Sequence, residues 1–346
     1  MMKINKHIEI VRSSVPALSS MGSKSANMIV MLLREHYAQV GISIVNDIAD
    51  LETLISKQPD LVFLGLKRVK RAGSLGQIAG APIWLSARLE RAGLNYTGSK
   101  APAIASDFNK PMAKQIVAAA GLKTAAYFTA RDGQYSSANR LPLSFPLFIK
   151  PQNEGGGKGI GADSVVRSFA AYAQKVTALT RDYKSDALVE VYLPGREFSV
   201  ALLETKALDE LLIMPIELIT EENNDGDSIL GHNIKDADNE QVIAVPGGII
   251  RDKIIELAAQ VFRALGARDY GRIDMRLDQY GTLHFLEANL VPGLAHHSFT
   301  SYFTAACQMN EGMDYESMIL HIVNQALSRD ESLDDSQDPI ESIAVV

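Results

Sequence analysis

Y-G-R-I-D-M-R-L-D-Q-Y-G-T-L-H-F-L-E-A-N-L-V-P-G-L-A-H-H-S, residues Tyr270–Ser298, is the stretch on which the fold turns. Apolar alternation on either side of a polar, glycine-ended segment predicts a strand, a turn over Asp278–Gly281 and a second strand. A loop then starts near Asn289. In the first strand Ile273, Met275 and Leu277 face one way, and Arg272, Asp274 and Arg276 the other. Glu287 and Asn289, two apart, share one face of the second strand. Paired as a hairpin, the strands set Asp274 opposite or diagonal to Glu287 and Asn289. Two carboxylates and an amide oxygen suit a hard divalent cation. Arg272 beside them suits an anion such as phosphate. A solvated hairpin face with salt bridges would use the same residues, so the upstream chain has to decide between the two readings.

The chain has 346 residues, enough for two or three lobes, with 47% apolar and 22% charged residues, as in ordinary globular proteins. A net charge of -7 and a pI of about 5.6 argue against a nucleic-acid binder. Cys307 is the single cysteine, so no intramolecular disulfide forms. It lies in an apolar run and reads as a buried structural thiol. No apolar run reaches membrane-spanning length, and M-M-K-I-N-K-H lacks the apolar core of a secretory signal. The expectation is a cytoplasmic protein without nucleic-acid or membrane partners.

From the N-terminus the pattern predicts a strand over His7–Ser14, a small polar loop, and a helix over Asn27–Val40 closed by Gly41. A strand at Ile42–Val45, a helix at Ile48–Lys57 and a buried strand at Leu61–Leu66 follow. This alternation predicts a Rossmann-like parallel sheet, although no G-x-G-x-x-G follows its first strand. Lys67, Arg68, Lys70 and Arg71 come just past a strand end, as a solvated loop or an anion contact. Trp84 reads as packing. A helix is expected over Ser106–Gly121, with Ser106 or Asp107 as N-cap and with Lys110 and Lys114 four apart.

The strand Leu147–Lys150 runs into K-P-Q-N-E-G-G-G-K-G-I-G. So many glycines carry a conformational cost, offset where backbone N–H groups must approach an anion. Lys150 and Lys158 flank the loop and favour phosphate. It is not a Walker A loop, because Gly159 and Ile160 follow Lys158. A helix over Val165–Leu179 and strands over Ala187–Val191, Phe198–Leu203 and Leu211–Ile219 come next. Glu221–Lys235 has no apolar period and reads as a long loop and candidate lid. Helices are expected over Arg251–Leu265, capped by Gly266, and over Asp314–Ala326. The last residues, 330–346, carry six acids and read as a mobile acidic tail.

With these motifs in place, the chain from about Asp60 to Ala326 resembles the ATP-grasp superfamily, and within it the D-alanine–D-alanine ligase family. The resemblance rests on L-N-Y-T-G-S, the helix holding Lys110, F-I-K-P-Q-N-E-G-G-G-K-G-I, V-E-V-Y-L-P-G-R-E-F-S-V, G-R-I-D-M-R-L-D and F-L-E-A-N-L-V-P-G-L-A-H-H-S. Each motif is weak alone; their common order is not. The resemblance implies an α/β, three-lobed ATP-grasp fold. A Rossmann-like domain (1–98) would precede a central lobe with the glycine loop (99–190) and a C-terminal lobe with the hairpin (191–329). ATP would lie between the last two lobes.

The resemblance also implies an ATP-dependent, ADP-forming carboxylate–amine ligase working through an acyl phosphate. Lys110, Lys150 and the loop residues Gly156, Gly157 and Lys158 would meet ATP. Glu190 and the backbone near Leu193 would hold adenine, and Glu197 the ribose. Lys235 would be the lid lysine. Asp274, Glu287 and Asn289 would hold two magnesium ions, with manganese an acceptable substitute. Arg272 and the Gly293 N–H would cover the developing oxyanion. Ser298 and His297 would line the acceptor pocket. Partners would be a small carboxylate and an amine, and family members are commonly homodimers. The alternatives are a true D-alanine–D-alanine ligase of peptidoglycan synthesis, an ATP-grasp enzyme making a non-peptide bond, and a nucleotide-binding module without catalysis.

The chain departs from the family's pattern at the first-substrate end. Gly156-Gly157 stands where the family has a Ser-Ser pair. Ser19–Ala26 contains no acid, Asp236 and not tyrosine follows Lys235, and L-K-R-V-K-R-A-G-S-L-G replaces H-G-x-x-G-E-D-G. A basic segment in place of an acidic one points to a different, more anionic or larger carboxylate donor.

Overall fold

The computed structural model of the chain describes residues 2–69, 82–205, 210–237, 239–296 and 301–329. Strand β1 (Ile4–Arg12), helix α1 (Ser23–His36), β2 (Tyr37–Ile44), α2 (Ile48–Ser56) and β3 (Leu61–Leu64) open the fold. They give a parallel sheet in the order β2-β1-β3, the Rossmann-like alternation expected. The expected helix over Asn27–Val40 ends instead at His36, and Gly41 caps nothing. Tyr37–Ile44 is rich in aromatic and β-branched residues and pairs with β1. Gly41 sits opposite Glu9, where an added Cβ would meet the Glu9 carboxylate at 2.5 Å.

A short pair, β4 (Arg68–Val69) and β5 (Ile83–Trp84), and helix α3 (Leu85–Arg91) follow. Trp84 packs edge-on against Phe108, as expected of a packing residue. The single helix expected over Ser106–Gly121 is two, α4 (Ala101–Phe108) and α5 (Lys110–Ala119). Pro111 cannot donate a helical N–H, so the chain breaks before it. Asn109, and neither Ser106 nor Asp107, caps α5 by accepting from the Met112 N–H.

The central sheet holds β6 (Tyr127–Ala130), β7 (Leu147–Pro151), β8 (Val165–Val166) and β9 (Ala187–Val191) in the order β6-β9-β7-β8. Helix α6 (Phe169–Tyr183) covers it, starting later than expected because Ser168 caps it. The third sheet contains β10 (Glu197–Glu204), β11 (Leu211–Ile219), β12 (Gln241–Ala244), β13 (Tyr270–Leu277) and β14 (Leu283–Asn289). Its order is β12-β11-β10-β13-β14, all antiparallel. The expected structureless loop before β12 carries a short helix, α7 (His232–Asp236). Helix α8 (Ile249–Ala264) packs on this sheet, followed by α9 (Tyr302–Glu311) and α10 (Tyr315–Ser328).

Ile8, Phe63, Met214, Phe303 and Ile319 belong to one buried cluster that joins the N-terminal sheet, α9, α10 and the third sheet. Cys307 is buried in the same cluster, and burial pushes its thiol up to about 12, so it is inert as a nucleophile. Among the described residues, no helix is long and apolar enough to cross a membrane.

Candidate active site

The expected hairpin forms, with a bulge on its second strand: Met275 pairs with Phe285 and Asp274 with Glu287, so Leu286 is the extra residue. Asp274 pairs with Glu287 and Arg272 with Asn289 across β13 and β14. The face carrying Ile273 and Met275 is buried in an apolar cluster under α8. The opposite face therefore has to present its charges toward the central sheet.

Between the two sheets lies a cleft. Phe148, Lys150, Glu190 and Leu193 line one side, and Glu197, Asp274, Arg276 and Glu287 the other. Gly157, Lys158 and Lys235 close it, and Lys110 reaches in from α5. The structure thus brings together Lys110, Lys150, Gly157, Lys158, Glu190, Leu193, Glu197, Lys235, Asp274 and Glu287. Asn289 lines an adjoining pocket with Lys67, Lys110 and Glu287. Gly156, Arg272 and Gly293 lie outside both cavities' walls, and Gly293 lies beside the Ser20 carbonyl. His297 and Ser298 fall outside the described residues.

Glu190 is the electrostatic centre of the cleft. Its two oxygens lie 2.5 Å from Lys114 Nζ and 2.8 Å from Lys150 Nζ, and all three side chains are buried. Burial favours the neutral acid, but the two ammoniums outweigh it and hold the Glu190 carboxyl below its ordinary range. For Lys150, burial pulls downward, yet Glu190 prevails and the ammonium is favoured. Lys110 and Lys114 are pulled down, chiefly by burial. Lys114 was legible only as the partner of Lys110 four residues away; its complete burial was not.

Arg276 is a second residue that the sequence did not single out. It donates to Glu197 at 2.8 Å, to the Gly195 carbonyl at 3.0 Å and to the Ser228 carbonyl at 2.6 Å. It thereby ties the hinge before β10 to the root of the segment bearing Lys235. Its place on the face shared by Arg272 and Asp274 was the available signal.

Backbone meets backbone where the glycine loop faces α7. A Cβ on Gly157, whose φ is +74°, would come within 2.9 Å of the His232 nitrogen. A Cβ on Gly231 would come within 2.7 Å of the Ile160 carbonyl oxygen. A side chain at 157 is therefore excluded by both space and backbone angle.

At the hairpin, Arg272 donates to both oxygens of Asp274 at 2.9 Å. Ser199 Oγ (2.6 Å) and Asn289 Nδ2 (3.2 Å) donate to the same carboxylate. Four donors fill the acceptor sites of one carboxylate. Glu287 lies 3.5 Å from Lys110 with about a fifth of its side chain exposed. Burial raises its pKa, but Lys110, Lys150, Lys235 and Arg272 together bring it down to about 2. Among the described residues no set of three or more His, Cys, Asp or Glu forms a metal cluster. The oxygen donors nonetheless fit a hard cation. Glu287 is held ionised at the cavity wall, Asn289 keeps its amide oxygen unspent on Asp274, and Asn289 Nδ2 is the longest of the four bonds to Asp274.

Comparison with known proteins gives this geometry its context. Residues 116–324 match the family model described as the D-ala D-ala ligase C-terminus. A D-alanine–D-alanine ligase of Geotalea uraniireducens is 30% identical over 295 residues, covering 85% of this chain and 87% of that protein. An uncharacterized protein, y4sG, of Sinorhizobium fredii is 33% identical over 247 residues, covering 70% and 69%. The solved structure of D-alanine–D-alanine ligase from Bacillus anthracis complexed with ATP superimposes with a TM-score of 0.71 at 18% identity, covering 96% of this chain and 100% of that one. The lobes and sheets described above are thus an ATP-grasp fold, and the chain belongs to the D-alanine–D-alanine ligase family, ATP-grasp ligases that form a C–N bond.

Proposed function

We propose that the chain is an ADP-forming carboxylate–amine ligase that works through an acyl phosphate and takes a donor other than D-alanine. Joining a carboxylate to an amine is uphill in water, so the acid must be activated. A carboxylate oxygen bonds to the terminal phosphorus of ATP, and the bond from that phosphorus to the bridging oxygen breaks. The amine nitrogen then bonds to the acyl carbon, phosphate leaves, and the nitrogen loses its proton.

The chain's residues divide this work. Lys110, Lys150 and Lys158 meet the phosphates, and Lys235 the terminal one, spreading charge that grows in the transition state. Glu197 takes the ribose hydroxyls and the Leu193 backbone the base. Glu190, clamped between Lys114 and Lys150, holds the Lys150 ammonium in place as well as facing the base. Glu287 and Asn289 would hold magnesium, and Asp274 would join them where the ion takes the place of the long Asn289 Nδ2 bond; the ion neutralises the phosphates when bound. Arg272 and the Gly293 N–H cover the oxyanion as the amine adds. The glycine loop and α7, in backbone contact, keep water from the activated acid.

The observation that carries the altered donor is the contact of Gly157 with His232. It leaves no room for the side chain that the family places there. Lys67, paired with Asp107 at 2.7 Å, lines the pocket beside Glu287 and Asn289, where an anionic group of the donor can be met. Phosphate release with a panel of acid and amine pairs tests the reading; robust turnover with D-alanine alone would sink the altered donor. That outcome would instead favour a true D-alanine–D-alanine ligase, the reading that the relatives' names support.

A further inference from the structure

Tyr302 lies in the first turn of α9 and is 3% exposed. It lines neither of the two cavities. Its hydroxyl donates to the Glu240 carboxylate, which is itself buried. The second Glu240 oxygen has no hydrogen-bond partner among the described residues. Two cations address the Tyr302 ring. The Lys235 ammonium is 5.5 Å from its centroid, and the Arg272 guanidinium 5.4 Å. The ring thus joins α9, the lid helix α7 and strand β13, and Glu240 ties it to the chain five residues after Lys235.

Packing alone does not explain this arrangement. A leucine or phenylalanine would fill the space without burying a carboxylate that has one donor for two oxygens, which is costly. What tyrosine adds is a fixed ring. Its negative face attracts a cation within about 6 Å, and more strongly where water is excluded. Lysine is a point charge on a flexible stem, so a fixed platform narrows where its ammonium can go. Burial and Glu240 both raise the phenol's pKa, so it stays neutral and remains the donor.

We propose that Tyr302, held by Glu240, is a positioning residue that sets the Lys235 ammonium and the Arg272 guanidinium relative to each other, so that lid and hairpin reach their working places together. The proposal rests on the reading of Lys235 as the lid lysine at the terminal phosphate and of Arg272 at the oxyanion.

The test needs no knowledge of the acid or amine. Calorimetric binding of ATP and of ADP, each with magnesium, to the full chain gives a preference for the nucleotide with the terminal phosphate. Lys235→Met should lower that preference by about tenfold. Tyr302→Leu should lower it by a similar factor, and Tyr302→Phe, which keeps the ring but loses the Glu240 bond that fixes it, should fall between Tyr302→Leu and the parent. The double variant Tyr302→Leu/Lys235→Met should be no worse than Lys235→Met, because one residue acts through the other. A Tyr302→Leu chain that keeps the parent's preference overturns the proposal, as does a double variant whose losses multiply. If Lys235→Met itself keeps the preference, the reading of the lid lysine falls, and the proposal with it.

Discussion

Arg272 grips Asp274 from two positions away on the same strand, with Nε and Nη2 each 2.9 Å from a different carboxylate oxygen. The pair is a fork on a planar acid, and both groups are nearly buried. Burial lowers the Arg272 pKa, but Asp274 overrides it and the guanidinium is held charged. Asp274→Asn removes the charge that orients Arg272 and one of the candidate metal oxygens. Turnover should fall at least about a hundredfold, roughly 2.7 kcal/mol of barrier. The dissociation constant for ATP should stay within about threefold, since the lysines that meet the phosphates are untouched. Equal losses in both quantities would remove the assignment of Asp274 to the chemical step.

The cluster at Glu190 orders the cost of its own disruption. Lys114→Met leaves Glu190 paired with Lys150, one charge of each sign. Glu190→Gln leaves Lys114 and Lys150 as neighbouring buried ammoniums without their anion. Breaking a buried pair by removing one partner costs about 3–5 kcal/mol. Glu190→Gln should therefore destabilise the chain by about that much, and Lys114→Met by less. Urea unfolding midpoints measure both, and the reverse order would show that Lys114 and not Glu190 anchors the cluster.

Acid should act on Glu287 in a narrow window. Its pKa is depressed from 4.5 to about 2 in the folded chain. A depressed carboxylate adds stability that is fully present above its unfolded pKa and is lost as pH falls through the folded one. The stability difference between the parent and Glu287→Gln should be constant above about pH 5 and shrink steadily from pH 4.5 toward 2. A difference that holds level down to pH 3 would mean that the surrounding cations do not act on this group.

Contact between loop and lid makes a steric prediction. Gly157→Ala must push His232 away and also adopt a positive φ that alanine resists. Gly156→Ala meets open space and has only the backbone angle to contend with. ATP turnover should drop by about tenfold or more in Gly157→Ala, and distinctly less in Gly156→Ala. Similar losses in the two variants would place the lid away from the loop during turnover.

Much of this was legible in the sequence because period and punctuation agreed. The hairpin Tyr270–Asn289 alternates around Gly281, which made the two strands and their turn legible, but even pairing outward from Leu277 and Leu283 would set Asp274 opposite Leu286; a bulge at that point, which no alternation encodes, brings Glu287 to Asp274. The N-terminal alternation of strands and helices gave the parallel sheet. The misses have local causes. Leu33, Tyr37 and Val40 keep a helical spacing into a segment that strand pairing claims. Pro111 interrupts a run whose apolar period continues across it, and Asn109 takes the cap. Glu221–Lys235 is polar enough to hide the short helix at His232. The roles of Lys114, Arg276 and Tyr302 arise from contacts with residues 76, 79 and 62 positions away, which no local pattern encodes.

One measurement bears most directly on the central claim: the products formed from ATP and magnesium with a mixed pool of carboxylic acids and amino acids, resolved by mass. The expected outcome is ADP and phosphate in equal amount with a condensed product, acid plus amine less one water, whose acid is not D-alanine. AMP and pyrophosphate as the nucleotide products would contradict it, as would ATP consumption with no condensed product.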